Sequence, residues 1–359
     1  VIDIGASNVA ILEGNHSARY VVSSFYGTEL TLADLNIDPS NSTLTFDASS
    51  DTQGSGTLYV VSQGESLRPR LKTDPLAAYG QEVAISYVVG TDINIALGRF
   101  RITDVPSATE TYRFASDVIS GSVVELTLAD RFDILVNDSF LAASSPQSTS
   151  AWDEIQRISP IPVVRSLPDA TVPATLVYQN KLDAIKKLMT LMGGEPAMTR
   201  EGALTARLST SWALGLDPVT SITGVIERDD GMSNHLFNCI VVTNSNDSSI
   251  VGIAQIDDPS NPLCVTGPLG RRVKTVQDPL ATTQAAADAS ARTYLTQYST
   301  QQTQTVKVTC LPRWDIELGD FIQIVDPNTD EEILGTVVNM QCSLSPTAAM
   351  SLEITEATQ

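Results

Sequence analysis

An alanine-rich amphipathic segment, Asp278–Tyr298, runs directly into a stretch built almost wholly of strand-forming residues. This pairing constrains the fold more than any other feature of the chain. In the first segment, Ala287, Ala291, Tyr294 and Tyr298 recur on one helical stripe. Small residues in such a stripe allow close approach to a sheet. Asp278 with Pro279 can start the helix, or Thr282 can start it later. The second stretch, KVTCLPRWDIELGDFIQIVD and then LGTVVNMQCSLSPTAAMSLEI, reads as strands. Its breaks fall at Glu317-Leu318-Gly319-Asp320 and Asp326-Pro327-Asn328-Thr329-Asp330. Neither segment carries a reactive centre. Together they read as framework.

The first half follows the same logic. Strands are expected at Ala18–Tyr26, Thr57–Val61, Glu82–Val89, Gly98–Val105 and Val123–Leu128, with short apolar runs and turns elsewhere in 1–55. Gly90-Thr91-Asp92 joins the third strand to the fourth. Asp130 can cap a helical turn carrying Phe132 and Leu135. Strands at this spacing suggest an antiparallel barrel or a sandwich. From Ala142 to Ser150 the chain is nearly all Ala, Ser, Pro and Thr, a connector. A short helix can form over Ala151–Ile158. Pro160, Pro162, Pro168 and Pro173 then exclude a regular helix or central strand, and a domain boundary is expected there.

The next unit is small. Leu182, Ile185, Leu188, Met189 and Met192 share one helical face, and Gly193-Gly194 ends that helix. A hairpin turning at Arg200-Glu201-Gly202 follows. β structure resumes from Ser221, with strands at Asn238–Thr243 and Val251–Asp257. A weak internal echo links GRFRITDV and VVELTLAD in the first half to GTVVNM and AMSLEIT near the end.

Charge narrows the functional classes. The chain has 359 residues, with 42 acidic against 22 basic, a net charge of −20. Such a surface repels phosphates and anionic membranes, so nucleic-acid binding is disfavoured. High net charge also suppresses association before assembly. With 42% hydrophobic residues the chain can bury a sizeable core. No apolar run approaches the roughly 20 residues that span a bilayer. The sequence opens on Val1 and shows no charged-then-apolar leader, so synthesis and folding in the cytosol are expected.

Reactive constellations are scarce. Cys239, Cys264, Cys310 and Cys342 form no C-x-x-C, and His235 with Cys239 lacks a second pair for zinc. The cysteines sit among apolar strand residues and are expected to be free thiols, a Cys310–Cys342 disulfide being the alternative. His16 and His235 lie near no G-x-S-x-G nucleophile. Asp153-Glu154 and Glu227-Arg228-Asp229-Asp230 are the exposed-looking acidic clusters, read as solvated charge rather than a glycosidase pair. Asp326–Glu332 superficially resembles a calcium loop, but Glu331 and Val337 stand where Gly and Glu are required. No catalytic, cofactor-binding or metal residues are therefore assigned, and no cofactor is expected.

The order of these segments carries a resemblance. LGRFRITDV and VELTLADRFDIL are followed by the Pro-rich link and the hairpin at Arg200-Glu201-Gly202. SNHLFNCIVVT, the Ala-rich helix and LGDFIQIV…GTVVNM come next. This succession resembles the tail-tip (baseplate) hub of long-tailed bacteriophages, a family similar to the hub of contractile injection systems. The resemblance implies a mainly β chain with an α+β insert: two antiparallel β-barrel-like tube domains plus a small helix/hairpin domain. The divisions are 1–150 for the N-terminal β-barrel-like hub domain, 151–175 for the Pro-rich connector, 176–222 for the small α+β domain and 223–359 for the C-terminal β-barrel-like hub domain with the Ala-rich helix.

It further implies a structural, non-enzymatic virion protein assembled in the host cytoplasm. Three copies would form a homotrimer that imitates six-fold symmetry and meets a distal tail or tube protein ring. Tape measure protein and tip fibre or spike proteins are the other implied partners. DNA would pass transiently through the ring during ejection without specific binding, and part of the acidity would face that channel. Some members carry an added hydrolase domain, for which the 359 residues are expected to leave no room. The alternative function is a tail-tip protein that binds or hydrolyses cell-wall glycan.

Overall fold

Strands outnumber helices twenty to five among the described residues, as the recurring Val/Ile/Thr alternation requires. The computed structural model describes residues 2, 4–14, 16–112, 119–208, 217–223, 225–231, 237–244, 249–278, 281–300, 305–325 and 332–356. In chain order the first elements are α1 (Ala6–Leu12), β1 (Ala18–Tyr26), β2 (Glu29–Leu32), β3 (Thr43–Asp47), β4 (Gly54–Gln63), β5 (Gln81–Val89), β6 (Ile93–Tyr112) and β7 (Ile119–Asp130). Next come α2 (Phe132–Val136), β8 (Ser139–Ser144), α3 (Ala151–Ile158), β9 (Tyr178–Asn180), α4 (Lys181–Leu191), β10 (Gly194–Met198) and β11 (Leu204–Leu208). The remainder are β12 (Thr220–Ile222), β13 (Val225–Gly231), β14 (Cys239–Thr243), β15 (Val251–Gln255), β16 (Val273–Gln277), α5 (Gln284–Thr300), β17 (Thr305–Cys310), β18 (Phe321–Val325), β19 (Glu332–Ser343) and β20 (Met350–Glu356).

Contacts divide the chain into two units. The first takes in Val1–Thr210, Leu216–Arg228 and Lys307–Ile354, and the second is made chiefly of Asp229–Val306.

The first unit is organised by a 13-stranded sheet. Its main path runs β13-β17-β20-β19-β3-β4-β7-β6-β5-β1-β2, and β18 with β12 branches from β19. Alternation sets which side chains point inward: Val83, Ile85 and Tyr87 on β5 and Val124, Leu126 and Leu128 on β7 are all buried. Strands from the two ends of the sequence join where β19 pairs antiparallel with β3, from Asn339↔Asp47 to Ser343↔Thr43. The mainly β class stands. No closed barrel forms among the described residues; most of the strands expected to close two barrels share one open sheet instead, and β14, β15 and β16 form a separate three-stranded one. β3 is short, and its two edges take β4 on one side and β19 on the other. The two halves of the internal echo are neighbouring strand pairs, β6 with β7 and β19 with β20. On β6 the register slips between Asp104 and Ser107, which places Pro106 in a bulge, where its missing N–H costs no ladder bond.

A second core lies inside the same unit, around α2, α3, α4 and the β10–β11 hairpin. Asp130 Oδ1 accepts from Phe132 N, and Phe132 and Leu135 are buried, as the capping pattern predicts. Asn180 caps α4 by accepting from Asp183 N, and Leu182, Ile185, Leu188 and Met189 face inward. Gly193 ends the helix at φ +72°. The β10–β11 pair turns at the expected residues, with Gly202 at φ +81°. The Pro-rich segment holds no regular element, yet it is no exposed link. Ile161 and Val172 enter the core, and Trp152 Nε1 donates to Leu167 O at 2.8 Å. Two sequence readings need correction here. The connector read over Ala142–Ser150 begins inside strand β8, and residues 6–12 form α1. No side chain caps α1, so capping gave no signal; burial of Leu12 holds it.

In the second unit, β14 is flanked by antiparallel β15 and parallel β16. Helix α5 packs on β15 and β14, strands that precede it, rather than on those that follow. It begins at Gln284, later than either start read from the sequence, because Thr283 Oγ1 accepts from Ala286 N. Pro279 lies outside the described residues. The expected stripe is the contact face: Ala287 and Ala291 are fully buried, and Tyr294 and Tyr298 pack beside them. Gly252 makes the approach possible. A Cβ there would lie 2.2 Å from the Ala287 carbonyl. Gly252→Ala should therefore loosen α5 from its sheet, costing about 1–3 kcal/mol. Faster hydrogen exchange across α5, with exchange in β4–β7 unchanged, is the expected readout.

Candidate functional site

Of the residues weighed for chemistry, His16, Asp153 and Glu154 are engaged structurally. His16 Nε2 lies 2.7 Å from the Tyr87 hydroxyl, and its Nδ1 lies 2.9 Å from Gly14 O. His235 falls outside the described residues, as do Asp326–Glu331 of the calcium-like loop and the side chains of Arg228, Asp229 and Asp230. Glu154 is not solvated charge: it is fully buried and accepts from Gln147 N, Ser148 N and the Arg157 guanidinium. Burial pushes its carboxyl up, but these donors outweigh it and hold the group below the ordinary range. Asp153 instead pairs with Arg165 at the surface. All four cysteines are free and buried. Burial pushes the thiols of Cys310 and Cys342 up to about 12, far from a reactive thiolate. Among the described residues, no group of three or more His, Cys, Asp or Glu could hold a metal.

The first unit does concentrate buried charge where its segments meet. Arg313, 1% exposed, donates from Nε and Nη2 to both oxygens of Asp315 at 2.8 Å. Its remaining donors reach Glu13 at 2.7 Å, Thr220 Oγ1 at 3.0 Å and Ser221 O at 3.2 Å. One guanidinium thus ties α1, β12 and the segment after β17. Such a planar, five-donor group suits a junction of this kind.

Arg200 and Arg207 extend the pattern from the β10–β11 hairpin. Arg200 donates to Ala96 O, Trp314 O and Ile316 O, each at 3.0 Å, and to Glu317 at 3.1 Å. Arg207 donates to Glu195 at 2.7 Å and Leu318 O at 3.1 Å. On the N-terminal strands, Glu82 accepts from Arg99 at 2.5 Å and from two nitrogens of Arg131 at 2.8 Å. Arg131 also donates to Gly202 O at 2.9 Å. The turn read as Arg200-Glu201-Gly202 is therefore a docking point between the hairpin and the large sheet. Its role as a turn was legible; its arginine contacts were not, since they bridge residues about a hundred positions apart.

Asp130 forms a further buried node. Its Oδ2 accepts from Gly54 N at 2.6 Å, while Oδ1 caps α2. Burial pushes the carboxyl up to about 7; the two amides oppose that shift, and the nearby Asp133 adds to it. Asp133 is itself paired with Arg101. This geometry joins segments and fixes their angles. It presents no nucleophile with a base and no oxyanion site.

The architecture defines a class: a mainly β framework chain whose buried charges serve its joints. No family model matches the sequence, and no curated protein does. Solved structures do match over nearly the whole chain. The tail protein from Neisseria meningitidis MC58 aligns at TM-score 0.59 and 14% identity, covering 94% of this chain and 96% of its own. The 43 kDa tail protein of prophage MuSo2 from Shewanella oneidensis aligns at 0.57 and 12%, covering 93% and 98%. Prophage tail protein gp18 from Listeria monocytogenes EGD-e aligns at 0.53 and 11%, covering 95% of each chain. The chain has the fold of these phage tail proteins, and the resemblance read from its sequence holds at the level of fold.

Two outcomes test the junction. Arg313→Met should cost about 3–5 kcal/mol in chemical denaturation, because it strands a buried carboxylate. Arg313→Met combined with Asp315→Leu should cost clearly less than the two single losses added. Asp130 should leave a pH signature. From about pH 4 to 7 the folded state holds a proton that the unfolded state has released, so this group's contribution to stability falls as pH rises. The stability margin of the wild type over Asp130→Ala should shrink across that window, at a slope approaching 1.4 kcal/mol per pH unit. Denaturation curves at pH 5 and pH 8 measure it.

Proposed function

We propose that this chain is the structural hub of a bacteriophage tail tip, joining the tail tube or distal tail ring to the tip. The observation that carries this reading is the full-length match in fold to three prophage or bacterial tail proteins. The buried arginine joints support it, since they suit a part that transmits load. The hub is a homotrimer in the virion, contacting the tube ring, the tape measure protein and tip fibre or spike proteins. It lines part of the DNA-ejection channel without binding DNA specifically. The net charge of −20 supports that role, because acidic walls repel phosphate within a screening length of about 8–10 Å. The division at 1–150, 151–175, 176–222 and 223–359 belongs to the same proposal; the separate core around α4 and the β10–β11 hairpin supports its small middle domain, and that core also takes in α2 and α3 from the segments before it.

Native mass spectrometry of assembled tail tips should find three copies per tip. One or six copies would overturn the trimer. Absence of the chain from purified virions would overturn the hub reading altogether.

A further inference from the structure

The three-stranded sheet of the second unit has two unlike faces. One carries Ile240, Val242 and Ala254 against α5. By alternation, the other carries Cys239, itself buried, with Val241 and Thr243 on β14, Val251, Ile253 and Gln255 on β15, and Val273, Thr275 and Gln277 on β16. None of these nine residues is charged. Ile253 is 60% exposed and Val273 48%. Val241 lies between Ile253 and Thr275 in register, so the apolar residues adjoin.

Charge indicates what can cover this face. The chain as a whole carries −20, but residues 229–306 hold seven acidic and four basic residues, a net of −3. A second copy of the chain is equally acidic, so most self-contacts would set like charges together at a cost of several kcal/mol. An uncharged β face on the least acidic unit removes that cost. A basic partner would instead be drawn to the acidic surface elsewhere.

We infer that this face is where a neighbouring copy of the same chain docks in the assembled tail tip. The inference rests on the trimeric hub reading. Three strands of five residues offer only about 230 Å², against about 800 Å² per partner in a standard interface. The face is therefore one patch of a larger contact completed on assembly.

The test places the photo-crosslinking residue p-benzoylphenylalanine at position 253, with irradiation of assembled particles. The expected product is an adduct of two copies, at twice 38.4 kDa. Adding Thr275→Glu to the same chain should lower its yield about tenfold. Continued protection of the four buried cysteines from thiol reagents shows that the variant is folded. An adduct with a different protein, or none, overturns the inference. A trimer by native mass with such a foreign adduct leaves the hub reading standing. A two-copy adduct in a tip that is not trimeric keeps the docking face and removes the trimer.

Discussion

Buried arginine is the interaction on which the first unit depends. Arg313 is enclosed with Asp315, and both would be costly to bury unpaired. The bidentate geometry and the added contacts to Glu13, Thr220 and Ser221 satisfy the guanidinium almost completely. Arg131, Arg200 and Arg207, partly buried, make similar joints around the β10–β11 hairpin. Hydrophobic contact alone is non-directional and would hold these segments together without fixing their angles. A planar donor group that reaches several backbone carbonyls fixes both.

Local structure was largely legible in the sequence. The five strands expected in the first half, the Asp130 cap, the α4 face and the Gly202 turn all follow from short-range rules acting over two to four residues, whereas β2 and β3 lie in a stretch that reads only as short apolar runs and turns. Where those rules had nothing to act on, the reading missed. Helix α1 has no side-chain cap and is held by the burial of Leu12. Thr283 took the N-cap role offered to Asp278 and Thr282, and Asp278 instead accepts from Ser290 of the helix it was expected to start.

Long-range relations were the illegible part. Alternation says that a strand has two faces but not which strand lies beside it. Two closed barrels and one continuous sheet are written in the same pattern, and β3 decides between them by accepting β19 on its second edge. The Glu154 pocket was hidden for a similar reason. Its partners include the amides of Gln147 and Ser148, and amides have no sequence signature. Glu154 therefore looked like one more surface acid in an acidic chain.

The pairing of β3 with β19 also governs when the protein can fold. Ser343 Oγ donates to Pro39 O, a contact between residues 304 positions apart. Strands β4 to β7 can pair among themselves while the ribosome is still at work, but the outer edge of β3 stays bare until β19 has emerged. At about 5–20 residues per second, that interval lasts tens of seconds. Through it, the growing chain presents an open strand edge and a half-built sheet, the state in which β proteins most readily pair with the wrong neighbour. The strong negative charge repels other nascent copies during that interval, so the acidity protects the chain's own synthesis before it serves any finished structure.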